Sequence, residues 1–183
     1  MKYSLDILIK QVEAGEPVEY FFFWGHTQKQ QGIIDKSCLS QWYPAAFTVD
    51  GITYPTAEHW MMAKKALLFG DDEAFQEVLS APKPAVAKAI GRKVRNFDAG
   101  IWQEKGYLLV AEGSFHKFSQ HADLQQFLLR TGKKVIVEAS PFDKIWGIGM
   151  AQSAKGTENP LQWKGANLLG FALMEARDRL LLK

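Results

Sequence analysis

The sequence predicts a single helix-rich α+β domain with a small antiparallel β-sheet, spanning residues 1–183. The first indication is the stretch from Tyr54 to Phe69. Its apolar side chains cover nearly the whole circumference of a projected helix, as is typical of a buried central helix. The second is the pair Asp50-Gly51 between two short β-type runs, which predicts a hairpin leading into that helix. The third is a series of further helical segments around two isolated strands, with no internal repeat and no linker.

Composition and length agree with one ordinary globular domain. Hydrophobic residues make up 47% of the 183 positions and charged residues 23%. A net charge of +2 is too small to indicate nucleic-acid binding through bulk electrostatics, so any recognition of phosphate is expected to be local. The aromatic share of 13%, with six Trp, provides indole rings for a planar ligand as well as for the core.

The expected location is the cytoplasm. The single Cys38 excludes an internal disulfide and a cysteine-based metal site, which favours a reducing compartment. The amino-terminal segment MKYSLDILIKQVEAGEP has no long apolar region, and no later run approaches the roughly 18 apolar residues of a membrane span. Neither a signal peptide nor contact with a membrane is therefore expected. No feature of the sequence indicates an oligomeric state.

The elements before the central helix follow from local patterns. Residues Ser4–Glu13 form a short amphipathic pattern that predicts a helix. Val18–Trp24 is β-branched and aromatic in the way of a buried strand. Thr27–Ser37 is polar and contains glycine, so it is expected to be a loop. The hairpin strands are then Phe47–Val49 and Ile52–Tyr54.

The central helix carries two charges inside its apolar surface. Thr56 is a favourable N-cap, and nothing interrupts the helix before Gly70. Glu58 and Lys65 are seven residues apart and lie on nearly the same line. Burying either charge without a partner would be costly, so a partner charge, solvent in a cleft or a substrate must face them. The alternative is structural: an acid in the first helical turn and a lysine that extends its ammonium to solvent.

The second half of the chain is mostly helical. In the predicted helix Trp102–Phe118, Gly106 and Gly113 indicate close packing against neighbouring side chains. The segment Ser140–Lys164 contains three Gly and two Pro, and it is too long for a mere connection. The remaining predicted elements are, in order, helices over Asp71–Leu79, Ala85–Val94 and Ala122–Arg130, a strand over Lys134–Ala139, and a final helix over about Ala166–Leu181.

Candidate binding groups follow the two isolated strands. Trp24 and Gly25 end the first strand. After the second, Asp143 and Trp146 are three residues apart beside glycines that allow close backbone approach to a ligand. A carboxylate next to an indole suits a ligand with a planar base and polar edges. The alternative is a tryptophan that fills the core and an aspartate that caps a turn.

Two segments could bind phosphate. Gly91-Arg92-Lys93-Val94-Arg95 is the one dense basic stretch, and arginine matches phosphate oxygens with two parallel hydrogen bonds; a solvated helix end explains it as well. Asn167 precedes the final helix, whose free N–H groups could hold a phosphate, unless Asn167 is simply an N-cap. The four histidines show no metal-ligand spacing, and the chain has no HExxH, GxSxG, GxxxxGK[ST] or GxGxxG motif. Neither a metal nor a cofactor is therefore expected.

Taken in order, these segments resemble the NADAR (YbiA-like) family. The resemblance runs from about Phe21 to Leu181, and Gln41 departs from it where many members have Asn, which puts a polar contact of that loop in question. The matching segments are FFFWGH, SQWYPAAF with VDGITYPTAEHWMMAKKALLF, AIGRKVRNF, the isolated Trp102, HKFSQHADLQQFLLRTGKK, VEASPFDKIWGIG and WKGANLLGFALMEAR.

The resemblance implies an N-glycosidase with a helix-rich domain whose motif-bearing core spans about residues 20–181. Its substrates would be early riboflavin intermediates, the phosphoribosylamino-pyrimidines. One alternative is ADP-ribose attached to guanine, so nucleic acid could be a partner as an ADP-ribosylated substrate. A second alternative is a non-catalytic module that binds NAD or ADP-ribose. Carried over position by position, the active-site residues would be Glu58, Lys65, Trp102, Asp143 and Trp146.

The implied roles follow the chemistry of the residues. Glu58, at a helix N-terminus, is expected to stay ionised and to stabilise an oxocarbenium-like state. Asp143 would orient the ribose hydroxyls or transfer a proton. Lys65, if desolvated, could attack C1′ as an amine and form a Schiff base. Trp102 and Trp146 would stack on the heterocycle, and Arg92 and Arg95 are the candidates for binding the phosphate.

Overall fold

A computed structural model describes residues 1–182, and its secondary structure is α+β. The helices are α1 (Leu5–Glu13), α2 (Ala57–Leu68), α3 (Asp72–Leu79), α4 (Pro84–Gly91), α5 (Ala99–Ser119), α6 (Ala122–Leu129) and α7 (Leu168–Leu181). The strands are β1 (Tyr20–Phe23), β2 (Phe47–Val49), β3 (Ile52–Tyr54) and β4 (Val135–Glu138). Short 3-10 turns cover Lys36–Leu39 and Pro160–Gln162. The predicted fold class is confirmed, and the element bounds shift by a few residues.

The strands form two separate pairs. β2 and β3 are the predicted antiparallel hairpin, and the turn residues Asp50 and Gly51 both have positive φ, at 51° and 78°. β1 and β4 pair in parallel, with Phe23 beside Glu138. Parallel strands need a long crossover, and the hairpin and helices α2 to α6 supply it. As a result, the carboxyl ends of β1 and β4 lie side by side, and each continues into a loop.

Helix α2 is the buried centre of the fold, as predicted. Thr56 caps it by accepting a hydrogen bond from the His59 N–H, and Gly70, with a φ of 68°, ends it. α2 packs against α3, α4 and α5. The Trp60 ring lies so close to Gly113 that a side chain there would collide with the indole. This confirms the close packing expected of Gly113 in α5.

Helix α7 packs against both α5 and β4. Gly170 allows this contact, because a Cβ atom there would collide with the Ile136 carbonyl oxygen. The end of β4 and the loop after it are thereby held next to the first turn of α2. Within residues 1–182, no helix is long and apolar enough to cross a membrane.

Candidate active site

A cavity of about 520 Å³ lies between the first turns of α2, the end of α4, the start of α5, the end of β4 and the loop that follows β4. It brings together most of the residues predicted from the sequence. Those that line it are Glu58, Lys65, Arg92, Trp102, Asp143 and Trp146.

Glu58 lies in the first turn of α2 and is only 4% exposed. Burial raises the pKa of its carboxyl group to about 7, against the opposing effects of Lys88, the Trp42 indole and Arg92. The prediction that Glu58 stays ionised considered only the helix dipole, which favours the anion, whereas burial favours the neutral acid and raises the pKa. The group is poised between its two protonation states near neutral pH, which is the range in which a carboxyl group works as an acid or a base.

Lys65 lies two turns further along α2, and its ammonium is held against a backbone carbonyl and two aromatic rings. Its Nζ donates a hydrogen bond to the Gly91 carbonyl oxygen at 2.8 Å. The same atom is 4.0 Å from the ring centroid of Phe97 and 5.5 Å from that of Trp102. Burial lowers the pKa of Lys65, which increases the fraction of free amine. Glu58 and Lys65 share the cavity but do not form an ion pair with each other.

Asp143 both caps a turn and lines the cavity, which are the two interpretations that the sequence left open. Its Oδ1 accepts hydrogen bonds from the Ile145 N–H at 2.9 Å and the Trp146 N–H at 2.7 Å, so it does cap a turn. It also lines the cavity, and the same turn places the Trp146 indole in the cavity wall. Oδ1 thus shapes the loop that carries Trp146.

The Trp102 indole lies over its own helix α5. A Cβ atom at Gly106 would be 2.9 Å from this ring, so the glycine predicted to allow close packing makes room for the indole. The ring lines the cavity and is partly buried. Trp102 and Trp146 therefore provide two aromatic surfaces in one cavity, as a planar heterocycle would require.

Trp24 and Gly25 line a second depression next to the first. The Trp24 side chain is 55% exposed, and its ring centroid is 6.3 Å from that of Phe142. Both depressions share Arg92 and Asp143 in their walls, so they form one continuous groove. Trp24 and Gly25 therefore lie beside the cavity that the other predicted residues line.

The prediction that Arg95 binds phosphate in the site is wrong, because Arg95 faces away from the cavity. Its Nη2 contacts the Asp71 carboxylate at 2.6 Å and the Glu73 carboxylate at 3.2 Å. The predicted helix extended to Val94, but α4 ends at Gly91, and the chain then turns. Arg92 stays at the cavity rim, whereas Arg95 is carried to the start of α3 as a structural ion pair.

Asn167 is a second correction. It is fully buried, its Oδ1 accepts from the Glu138 N–H at 3.0 Å, and its Nδ2 donates to the Ile136 carbonyl oxygen at 2.9 Å. The N–H groups that open α7 are occupied as well, since Leu168 and Leu169 donate to carbonyl oxygens of the loop after β4. No phosphate site exists at this helix start. The N-cap alternative is also wrong for the side chain, which makes no capping hydrogen bond and instead ties α7 to β4.

We expect Asn167→Ala to lower the free energy of unfolding rather than to weaken binding of a phosphate. The change leaves an N–H and a carbonyl of β4 without partners, at about 1–3 kcal/mol each. Alanine must also adopt the positive φ of 54° found here. Chemical denaturation measures the loss. Asn96→Ala is the matched control, because Asn96 has a φ of 55° but is exposed, so it isolates the backbone effect. An unchanged stability with a raised KM would contradict this prediction.

Sequence reasoning missed several residues of the cavity wall, among them Trp42, Lys88 and Glu138. Lys88 precedes Arg92 by one turn of α4, so their spacing could have indicated a cationic face. Glu138 ends the apolar strand β4, and an acid at the end of a buried strand was the available signal. Trp42 gave no local signal, because only the tertiary fold brings it to Glu58.

The loop that carries Trp42 is tied down on both sides. The Gln41 carbonyl oxygen accepts from the Glu58 N–H at 3.0 Å, and Gln41 Nε2 lies 3.5 Å from Ser114 Oγ. The Gln41 side chain therefore makes one long polar contact through Nε2, while its Oε1 is buried without a hydrogen-bond partner within residues 1–182. The fully buried Lys117 donates from Nζ to the carbonyl oxygens of Cys38 and Ser40, at 2.6 and 2.8 Å. These bonds hold the loop against α2 and α5.

The chain is similar to known proteins over most of its length. The family model of the NADAR domain matches residues 22–181. The chain is 45% identical over 170 residues to "N-glycosidase R617" of Acanthamoeba polyphaga mimivirus, covering 89% of this chain and 97% of that protein. It is 33% identical over 135 residues to "N-glycosidase YbiA" of Escherichia coli, covering 74% and 76%. The NMR structure of E. coli YbiA superposes with a TM-score of 0.67 at 26% identity, over 91% of this chain and 88% of that one.

Proposed function

The chain belongs to the NADAR family and is an N-glycosidase, and we propose that it hydrolyses the C–N bond between a phosphorylated ribose and a nitrogen base. The substrates proposed are phosphoribosylamino-pyrimidines, the early intermediates of riboflavin synthesis. The observation that carries this proposal is a buried carboxyl group, Glu58, facing a cavity lined by the indoles Trp102 and Trp146 and by the cations Lys88 and Arg92.

Glu58 would stabilise the reacting carbon. Cleavage of a ribosyl C–N bond develops positive charge at C1′, and an anion fixed beside that carbon lowers the barrier. The cavity wall removes the carboxylate from water, which strengthens its attraction to the developing charge. The raised pKa of Glu58 means that this anion forms only as the pH rises towards 7 and above.

The other groups would bind the substrate. Asp143 Oδ2 suits the ribose hydroxyls as a hydrogen-bond acceptor, while Oδ1 keeps the loop in shape. Trp102 and Trp146 would hold the heterocycle between them. Arg92 and Lys88 lie at the rim and suit the 5′-phosphate. The nucleophile proposed is Lys65 or water.

The single catalytic domain, the reaction without a cofactor and the cytoplasmic location are part of the same proposal. Residues 20–181 carry all of the groups named above, so one domain spanning 1–183 would contain the whole catalytic unit. The reaction as written uses neither a metal nor an organic cofactor. The substrate is a small molecule that a cytoplasmic enzyme would meet.

Product analysis of the purified enzyme tests the proposal. A phosphoribosylamino-pyrimidine and an ADP-ribosylated guanine oligonucleotide are incubated in parallel. Release of the base and ribose 5-phosphate from the first substrate supports the proposal. Turnover of neither, with ligand still bound and with binding unaffected by Glu58→Gln, would replace it with a binding module.

The groove at Trp24 favours one second candidate, removal of ADP-ribose from guanine in nucleic acid. An ADP-ribosyl group has a second planar base beyond its phosphates. The exposed rings of Trp24 and Phe142 line the adjoining depression together with Arg92, and that base could stack on them. Release of ADP-ribose from the oligonucleotide alone would establish this candidate and refute the first.

We expect Arg92→Met to raise KM for the phosphorylated substrate by about 10- to 100-fold, with a small change in kcat, because charged hydrogen bonds to phosphate contribute about 1.5–3 kcal/mol. Arg95→Met is the matched control, since Arg95 is paired with Asp71 outside the cavity. It should leave KM unchanged. Steady-state kinetics with the dephosphorylated ribosyl substrate should show no effect of Arg92→Met. Equal effects of the two variants would contradict the assignment.

A further inference from the structure

A second carboxyl group, Glu138, lines the same cavity as Glu58. It ends β4, whereas Glu58 opens α2, and both residues line the cavity. Its Oε2 is buried and has no hydrogen-bond partner within residues 1–182. The backbone of Glu138 is fixed on both sides, by Asn167 Oδ1 at its N–H and by the Ile148 N–H at its carbonyl. A buried carboxyl group whose oxygen lacks a donor costs much more as an anion than as a neutral acid.

The surroundings of the two carboxyl groups differ in a way that decides which one keeps a proton. Glu58 is opposed by the cations Lys88 and Arg92 and by the Trp42 indole donor, all of which favour its anion. The negative charge of Asp143 disfavours the anion of Glu58 and raises its pKa. Glu138 receives less help, because Lys88 is the only cation that favours its anion, while Asp143 and Glu58 both disfavour it. Burial acts against the charged form of both groups, and it raises the pKa of Glu138 to about 7.

We infer that Glu138 is the general acid of the glycosidic cleavage and that Glu58 is its ionised partner. The inference rests on the proposed function and assigns the proton donor within it. Two carboxyl groups that share a cavity cannot both ionise easily, so the pair holds one proton near neutral pH. The proton resides on the group whose oxygen lacks a donor, which is Glu138.

Cleavage of the glycosidic bond is coupled to the transfer of one proton from Glu138. The C1′–N bond breaks, and its electron pair goes to the departing nitrogen, which takes the proton from the Glu138 carboxyl group. Glu138 is left as a carboxylate, and the anion of Glu58 faces the positive charge at C1′. The water that completes hydrolysis gives its oxygen to C1′ and returns one proton to Glu138. An acid in this position typically accelerates cleavage about 10²–10⁴-fold.

Infrared spectroscopy tests the location of the proton without reference to activity. The carbonyl stretch of a protonated carboxyl group is recorded at neutral pH for the wild type, Glu138→Gln and Glu58→Gln. We expect a carboxylic-acid band in the wild type that is lost in Glu138→Gln. Glutamine keeps the size of the side chain and its place at the end of β4. A band that persists in Glu138→Gln, or that is lost only in Glu58→Gln, overturns the inference.

The pH dependence of kcat tests the role of that proton. The charged or titratable side chains that act on Glu138 are Glu58, Lys88 and Asp143, and none of them is changed in Glu138→Gln. We expect kcat to fall about 10²–10⁴-fold and the loss of rate at alkaline pH to disappear. A kcat equal to that of the wild type, or an unchanged alkaline limb, overturns the assignment. If the wild type cleaves no N-glycoside, the proposed function fails, and the infrared result still decides where the proton lies.

Discussion

Glu58→Gln should reduce kcat by about 10³-fold while leaving the fold intact, because it removes the anion that faces C1′ and preserves the shape of the side chain. The substrate should still bind, since Trp102, Trp146 and Arg92 are unchanged. In the wild type, the rate should fall as the pH is lowered through about 7, because protonation of Glu58 removes the same charge. Steady-state kinetics over a pH series measures both effects. A variant with wild-type kcat would contradict the role given to Glu58.

The same substitution should stabilise the protein at alkaline pH. The pKa of Glu58 in the folded state is raised above its unfolded value of 4.5, so the stability present below pH 4.5 is lost as the pH rises through about 7. Since one pKa unit is about 1.4 kcal/mol, the gain of Glu58→Gln at pH 8 is of the order of 3 kcal/mol. It should be small at pH 4.

Denaturant unfolding at both pH values measures this difference. Glu77→Gln is the control, because Glu77 is an exposed acid on α3 and its replacement should change stability at neither pH. Equal stability of Glu58→Gln and the wild type at pH 8 would show that the carboxyl group is better solvated than its 4% exposure indicates. Loss of activity together with a gain of stability is the signature of a buried group kept for chemistry.

The parts of the fold that local chemistry determines were predictable. Thr56 and Gly70 mark the ends of α2, and Asp50-Gly51 marks the hairpin, because each residue acts through its own backbone or its immediate neighbours. The family pattern indicated Glu58, Lys65 and the indoles as site residues, whereas local reasoning left structural alternatives open. What brings them together is the parallel pairing of β1 with β4, which joins residues more than a hundred positions apart.

The wrong predictions have one cause, which is competition by partners that are distant in sequence. Arg95 has the side chain of a phosphate ligand, but the Asp71 carboxylate, 3% exposed, takes its guanidinium. Asn167 precedes a helix, but the open backbone groups of β4 take its amide. Glu138 was missed because most of the charged groups that act on it are also distant in sequence. Its sequence context is that of an ordinary strand end, and only the fold places Glu58 and Asp143 near it.

Lys65→Ala and Lys65→Arg should both lose about 10³-fold or more in kcat if the amine is the nucleophile. Three features of Lys65 favour that chemistry: burial lowers its pKa, its Nζ is fixed by the Gly91 carbonyl, and the Phe97 and Trp102 rings lie close to Nζ. In this route, Nζ attacks C1′ and the C–N bond to the base breaks. The ribose ring then opens to an imine between Nζ and C1′, which water hydrolyses to free lysine and the sugar.

Borohydride converts that imine into a stable secondary amine, because hydride adds to C1′ and fixes the sugar to Nζ. Mass spectrometry should then find the phosphoribosyl adduct on Lys65 in the wild type and no adduct in Lys65→Arg, which keeps the charge but is not a nucleophile. Lys64→Arg is the matched control. Lys64 lies over the Trp60 ring at 4.4 Å and does not line the cavity, so its variant should be both active and labelled. Full activity with no adduct in the wild type would assign the attack to water and leave Lys65 as a cation that holds the substrate.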